Sequence, residues 1–126
     1  MTHQQFVDAV PSTSELSQAV RVGNLVFCSG QIGVGADGEI IDANDIRAQI
    51  VQAFTNLKTV LENAGASLEH VVKITSFLVN QADRGVLVEV RRQFFKPPYP
   101  ASTLVVVKSL ARPEYLYEIE AIAIIR

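Results

Sequence analysis

Two glutamates, Glu118 and Glu120, lie in the apolar run 115–125 (YLYEIEAIAII) near the end of this chain. The run has strand character, and a strand puts residues two apart on the same face. One face then reads Leu116, Glu118, Glu120, Ile122 and Ile124, and the other Tyr117, Ile119, Ala121, Ala123 and Ile125. The second face is apolar and suits a core. The first sets two carboxylates among branched aliphatics, where a charge needs a partner, water or a shifted pKa. A carboxylate held in that way is equipped for general acid–base chemistry. The competing reading is a solvated sheet face with Glu at an edge. Cys28 sits in an apolar run with no histidine close in sequence, so it reads as buried packing rather than as a nucleophile. His3 and His70 are far apart, and no Cys/His spacing suggests a metal site. His70 reads as a surface residue, and Lys73 as a cation able to pair with a strand carboxylate.

The totals narrow the field. A chain of 126 residues is expected to form a single domain over 1–126 and to bury roughly two thirds of its unfolded surface. Net charge is −2, which argues against a general nucleic-acid binder with a basic stripe. One cysteine allows no internal disulfide and fits a reducing cytoplasm. No apolar run approaches 18 residues and no charged-then-apolar leader opens the chain, so neither a membrane span nor a signal peptide is expected.

The elements that position the glutamates can be read from periodicity. Residues 1–15 are a lead-in with at most an edge strand, its apolar patch being Phe6–Val10. Ala19–Val22 and Leu25–Cys28 flank Gly23-Asn24, which predicts a hairpin with a type I′ turn. Gly30, Gly33, Gly35 and Gly38 punctuate a loop with a turn at Asp37-Gly38. Ile46, Ile50, Phe54, Leu57 and Leu61 are spaced as a helical stripe, with Asp42 or Asn44 as cap and Gly65 as stop. His70–Asn80 returns to strand. A second helix, capped by Asp83, turns Leu87, Val90 and Phe94 inward and stops at the proline-rich segment 96–100. Strands over Ala101–Lys108 and Tyr115–Ile125 complete a β-β-α-β-α-β-β order. The economical fold packs both helices on one sheet face. The opposite face carries the glutamates with many Val and Ile, and association through it is expected.

These residues resemble the RidA/YjgF family, the reactive-intermediate deaminases also called L-PSP endoribonucleases. The resemblance rests on Ser29-Gly30-Gln31-Ile32, on Asn56-Leu57 through Ala64-Gly65, and on Val72-Lys73-Ile74-Thr75-Ser76-Phe77-Leu78. It rests also on Tyr99-Pro100-Ala101 and on Glu118-Ile119-Glu120-Ala121-Ile122-Ala123. Together they span about residues 20–125. The resemblance implies an α+β, chorismate-mutase-like fold: a mixed sheet with two helices on one face, assembled as a homotrimer whose sheets form a central barrel. It implies small-molecule clefts at the subunit interfaces and no cofactor or metal. The implied activity is hydrolytic deamination of an enamine, imine or related unsaturated amino-acid metabolite to a 2-oxo acid and ammonia. Glu118 matches the acid/base glutamate, and Ser29 with Gly30 the wall against which a ligand lies; Glu120 is left a structural pairing role at the interface.

The chain departs from the family pattern at four places. The arginine that grips the substrate carboxylate falls at Ser102, an asparagine at Val88, a cysteine at Leu104 and a tyrosine at Leu16. A hydroxyl lacks both the charge and the paired donors of a guanidinium. Ser102 and Thr103 together are candidates to donate to a ligand's carboxylate or carbonyl. Arg91, Arg92 and Arg112 are candidates to return the lost cation, and Arg112 is favoured for its place in a loop. Loss of the arginine leaves two further readings: a non-catalytic trimeric binder of small 2-oxo acids, and more remotely an endoribonuclease or translation inhibitor. No nucleic-acid or membrane partner is expected.

Overall fold

In a computed structural model the structure describes the backbone of residues 4–7 and all of residues 16–126. Six strands form one sheet. They are β1 (Gln4–Val7), β2 (Ala19–Val22), β3 (Leu25–Ile32), β4 (Val71–Leu78), β5 (Ala101–Val106) and β6 (Tyr117–Ile124), in the order β1-β2-β3-β6-β4-β5. β4 and β5 run parallel and the other neighbours antiparallel. The helices are α1 (Ile46–Asn63) and α2 (Arg84–Phe94). This is the expected mixed α+β architecture, with β1 as the edge strand of the lead-in. The remainder of the Phe6–Val10 patch lies outside the described residues.

Both helices back one face of the sheet. The inward stripe of α1 (Ile50, Phe54, Leu57 and Leu61) is fully buried, and so are Leu87 and Val90 of α2. Against them β6 presents Tyr117, Ile119, Ala121 and Ala123, the apolar face expected from alternation. Phe54 joins the layers, its ring stacked on Phe94 of α2 at 5.0 Å and on Tyr117 of β6 at 6.1 Å. A large side chain buried in this way contributes about 1.5–3 kcal/mol.

Local chemistry departs from the sequence reading at the turns and caps. The cap of α1 is Asp45, whose side chain accepts from the Ala48 amide at 3.0 Å. Asp42, an expected cap, instead accepts from the Asn44 amide in the turn before the helix. Asp83 stands at the cap position of α2 but makes no capping bond; Asn80 caps a short 3-10 turn just before it. The β2–β3 turn has positive φ at Gly23 alone. Type I′ requires it at both central residues, so the turn has the II′ pattern. Gly65 ends α1 with φ +87°, as expected of a helix stop.

Candidate functional site

The open face of the sheet gathers Phe27 and Ile32 of β3, Glu118, Glu120 and Ile122 of β6, Thr75 and Phe77 of β4, and Thr103 and Val105 of β5. Register fixes the neighbours of each glutamate. Glu118 lies between Ile32 and Phe77, and Glu120 pairs with Thr75. From Cys28↔Ala121 to Gln31↔Ile119, β3 uses three steps where β6 uses two, so Ser29-Gly30 form a bulge. The bulge brings the Gly30 backbone directly against the Glu118 carboxylate: a Cβ built on Gly30 would lie 2.0 Å from Glu118 Oε2. Only glycine leaves that space open.

Glu118 is half-buried among these groups, and neither ion pair of the described residues involves it. Burial, and next the nearby Glu120 charge, raise its pKa above the ordinary carboxylate value. The apolar strand face has thus produced a shifted pKa in place of a charged partner. Glu120 itself is exposed.

The supports of this wall come from polar side chains buried under it. Asn56 of α1 donates to Ile32 O at 3.0 Å and Val34 O at 2.9 Å, holding the exit of β3. Gln49 donates to Asp42 O and Glu114 O and accepts from the Leu116 amide, holding the entry to β6. Gln31 donates to Gln18 Oε1 and Ser29 O. The apolar stripe of α1 gave Gln49 no role, and Asn56 entered only as part of the Asn56-Leu57 motif, with no bonding role. They lie three and ten residues after Ile46 and so on the same helical face, which was the available signal.

The remaining candidates separate. The Ser29 hydroxyl donates to Ser17 O at 2.6 Å, which ties the bulge to the chain entering β2. Ser102 and Thr103 do not face one ligand within one chain. Ser102 is level with Ile74, on the helix side, whereas Thr103 is level with Thr75, on the open side, because adjacent strand residues point oppositely. Ser102 lines a cleft of about 320 Å³ with Arg91 and Arg92 of α2. Thr103 accepts from Lys73 Nζ at 2.6 Å, so Lys73 pairs with a hydroxyl and not with a strand carboxylate. Arg112 is largely exposed, its Nε 3.0 Å from Glu114 Oε1. Cys28 faces the core, and burial pushes its thiol up to about 12, which suits packing and not nucleophilic attack. His70 is partly buried, accepting from the Ser67 amide at Nδ1.

Residues 6–125 match the family model described as Endoribonuclease L-PSP. The chain belongs to the RidA/YjgF family. It is 41% identical over 109 residues to the 2-iminobutanoate/2-iminopropanoate deaminase of Dermatophagoides farinae, covering 86% of this chain and 84% of that protein. It is 42% identical over 108 residues to a RutC family protein of Pyrococcus abyssi, covering 85% and 84% respectively. The crystal structure of RidA from the Antarctic bacterium Psychrobacter sp. PAMC 21119 superposes with a TM-score of 0.87 at 38% identity, over 96% of this chain and 97% of that one. In this RidA/YjgF member the Glu118 carboxylate lies against the Gly30 backbone on the open face.

Proposed function

We propose that this chain, acting as a single domain, is a cofactor-independent deaminase. It hydrolyses 2-imino acids, and the enamines that tautomerise to them, to 2-oxo acids and ammonia. The observation that carries this reading is Glu118: a half-buried carboxylate of raised pKa, without an ion-pair partner among the described residues, against a glycine that leaves its front clear. Relatives named 2-iminobutanoate/2-iminopropanoate deaminase at 41% and 33% identity support the substrate class.

The chemistry needs one proton carrier. Glu118 takes a proton from water as its oxygen bonds to the imine carbon, and the C=N electron pair moves onto nitrogen. The substrate reacts as its protonated imine (C=NH2+), so when the same carboxyl returns the proton to nitrogen the product is a carbinolamine with an ammonium leaving group. The hydroxyl then forms C=O as the C–N bond breaks, and its proton leaves with Glu118 or ammonia. A pKa raised by burial makes the carboxylate a better proton acceptor than an ordinary one, which suits a group that must both accept and release a proton. Gly30 exposes backbone to the bound ligand, with Ser29 holding the bulge in place.

The protein works as a homotrimer with its sheets lining a central barrel and a cleft at each subunit interface. The exposed Leu25, Phe27, Val105 and Ile124 on the open face support this assembly. A single buried thiol accords with a reducing cytoplasm. No described helix is long and apolar enough to cross a membrane. A phosphodiester substrate would meet two carboxylates on this face, in a chain of net charge −2, which disfavours the ribonuclease reading.

The test generates 2-iminobutanoate in situ with an amino-acid oxidase or dehydratase and traps surviving imine with semicarbazide. Wild type lowers the semicarbazone yield, and Glu118→Gln loses about 10²–10⁴-fold in rate. If wild type leaves the yield unchanged while 2-oxobutanoate still raises its melting temperature, the protein is a binder and not a hydrolase.

A further inference from the structure

A 2-imino acid carries a carboxylate, and the open face around Glu118 offers no arginine to hold it. The cation on that face is Lys73, four residues along β4 from Phe77, the neighbour of Glu118. That separation is about 13 Å at strand rise, and Lys73 Nζ is already bonded to Thr103 Oγ1. Arginines lie instead on the other side of β5. Val88, Arg91 and Arg92 form one stripe of α2 (spacings of three and four residues), which with Phe95 just past the helix end, Tyr99 and Ser102 walls the cleft of about 320 Å³.

Three features make this cleft suited to a small carboxylate. Neither guanidinium takes part in an ion pair among the described residues; the nearby acid of α2, Glu89, is held by Arg47. Arg91 is half-buried, and its charge is felt by the Tyr117 hydroxyl, which is bonded to Ser76 at 2.8 Å beneath the helix. Ser102 adds a hydroxyl donor, while Val88, Phe95 and Tyr99 provide walls of low polarity, where a charge-assisted bond is strengthened. Two arginines in the last turn of α2 also complement the helix dipole. That role requires neither the half-burial of Arg91 nor a cleft around both.

We propose that Arg91 and Arg92, with Ser102, hold the substrate carboxylate, and that they do so for Glu118 of a neighbouring copy of this chain. The second half follows from register: Ser102 and the helices lie on one side of the sheet and Glu118 on the other. One copy therefore cannot present both halves to one small substrate. The inference rests on the imine-hydrolase reading for its substrate. It specifies a negatively charged 2-imino acid, not a neutral imine.

The test uses the full chain and two probes, 2-oxobutanoate and its neutral amide, measured by calorimetry. Arg91→Gln/Arg92→Gln is expected to weaken the carboxylate about 10–100-fold and to leave amide binding unchanged. Arg91→Lys, which keeps the charge, is expected to recover part of the loss, and melting curves establish that each variant is folded. Unchanged 2-oxobutanoate binding by the folded double variant would overturn the assignment. Carboxylate binding that depends on both arginines, in a wild type that turns over no imine, would keep this site and remove the hydrolase reading. Hydrolysis that depends on Glu118 and ignores both arginines would do the reverse. For placement across copies, Glu118→Gln is refolded together with the double variant. Recovered hydrolysis supports a site shared between copies, and no recovery above the separate variants refutes it.

Discussion

The two faces of β6 are built from alternate residues of one eight-residue strand, yet they solve opposite problems. Tyr117, Ile119, Ala121 and Ala123 meet a helix layer that buries them, and Ser76 of the neighbouring strand β4 satisfies the one hydroxyl they carry. Glu118, Glu120, Ile122 and Ile124 meet no such layer among the described residues, and Phe27 beside them stays 44% exposed. The helix side is held by packing and tolerates little change of volume. The open side keeps a carboxylate of raised pKa among exposed apolar side chains. Stability and chemistry are thereby assigned to opposite sides of the same backbone. The polar supports, Gln49 and Asn56, reach from the first side to fix the strand ends that carry the second.

The largest expected effect belongs to the packed side. Phe54→Ala removes the ring between α2 and β6 and should cost about 3–5 kcal/mol in denaturant unfolding. Phe27→Ala on the open side should cost the isolated chain far less and act on subunit association, read by sedimentation. Equal losses of chain stability would erase the contrast between the faces.

Gly30→Ala sharpens it from the other side. The added methyl must displace the Glu118 carboxylate, since its Cβ would fall 2.0 Å from Oε2. A displacement on that scale should lower kcat by about 10²-fold, with the unfolding midpoint changed much less. Retained turnover would show that the carboxylate position is not important.

Smaller still is the effect of Glu118→Gln on stability, and its sign is diagnostic. A carboxyl whose pKa is raised by folding binds its proton more tightly in the native state. Its presence therefore lowers stability as pH rises from the ordinary carboxylate value of 4.5 through the raised folded value. Melting curves should show the glutamine variant at least as stable as wild type above that window and relatively less so below it. The least effect is expected from Arg112→Ala. Its exposed pair with Glu114 is worth less than about 1 kcal/mol, and activity should be nearly unchanged.

Most of the architecture was legible in the sequence because it is written in periodicity. The alternation in 115–125 and the helical stripe from Ile46 to Leu61 each identify an element and its inward face. What periodicity leaves open is local competition. Asp42, Asn44 and Asp45 are all capable caps, and the choice depends on where the first turn docks. The site was half legible. Glu118 stood out as a charge on an apolar face, but its contact with Gly30 depends on a one-residue bulge that alternation alone does not reveal. Ser102 and Thr103 looked like a pair because they adjoin in sequence, yet strand geometry sends them to opposite faces. The parallel register of β5 on β4, fixed by a helical crossover, determined which residue went where.

The central claim is that Glu118 carries the proton in imine hydrolysis. The most direct measurement is the pH dependence of kcat/KM for 2-iminobutanoate in wild type and Glu118→Gln. Wild type should gain activity with rising pH through a pKa above the ordinary carboxylate range, and the glutamine variant should lose both that limb and most of the rate. A variant with wild-type rate and the same limb would contradict the account.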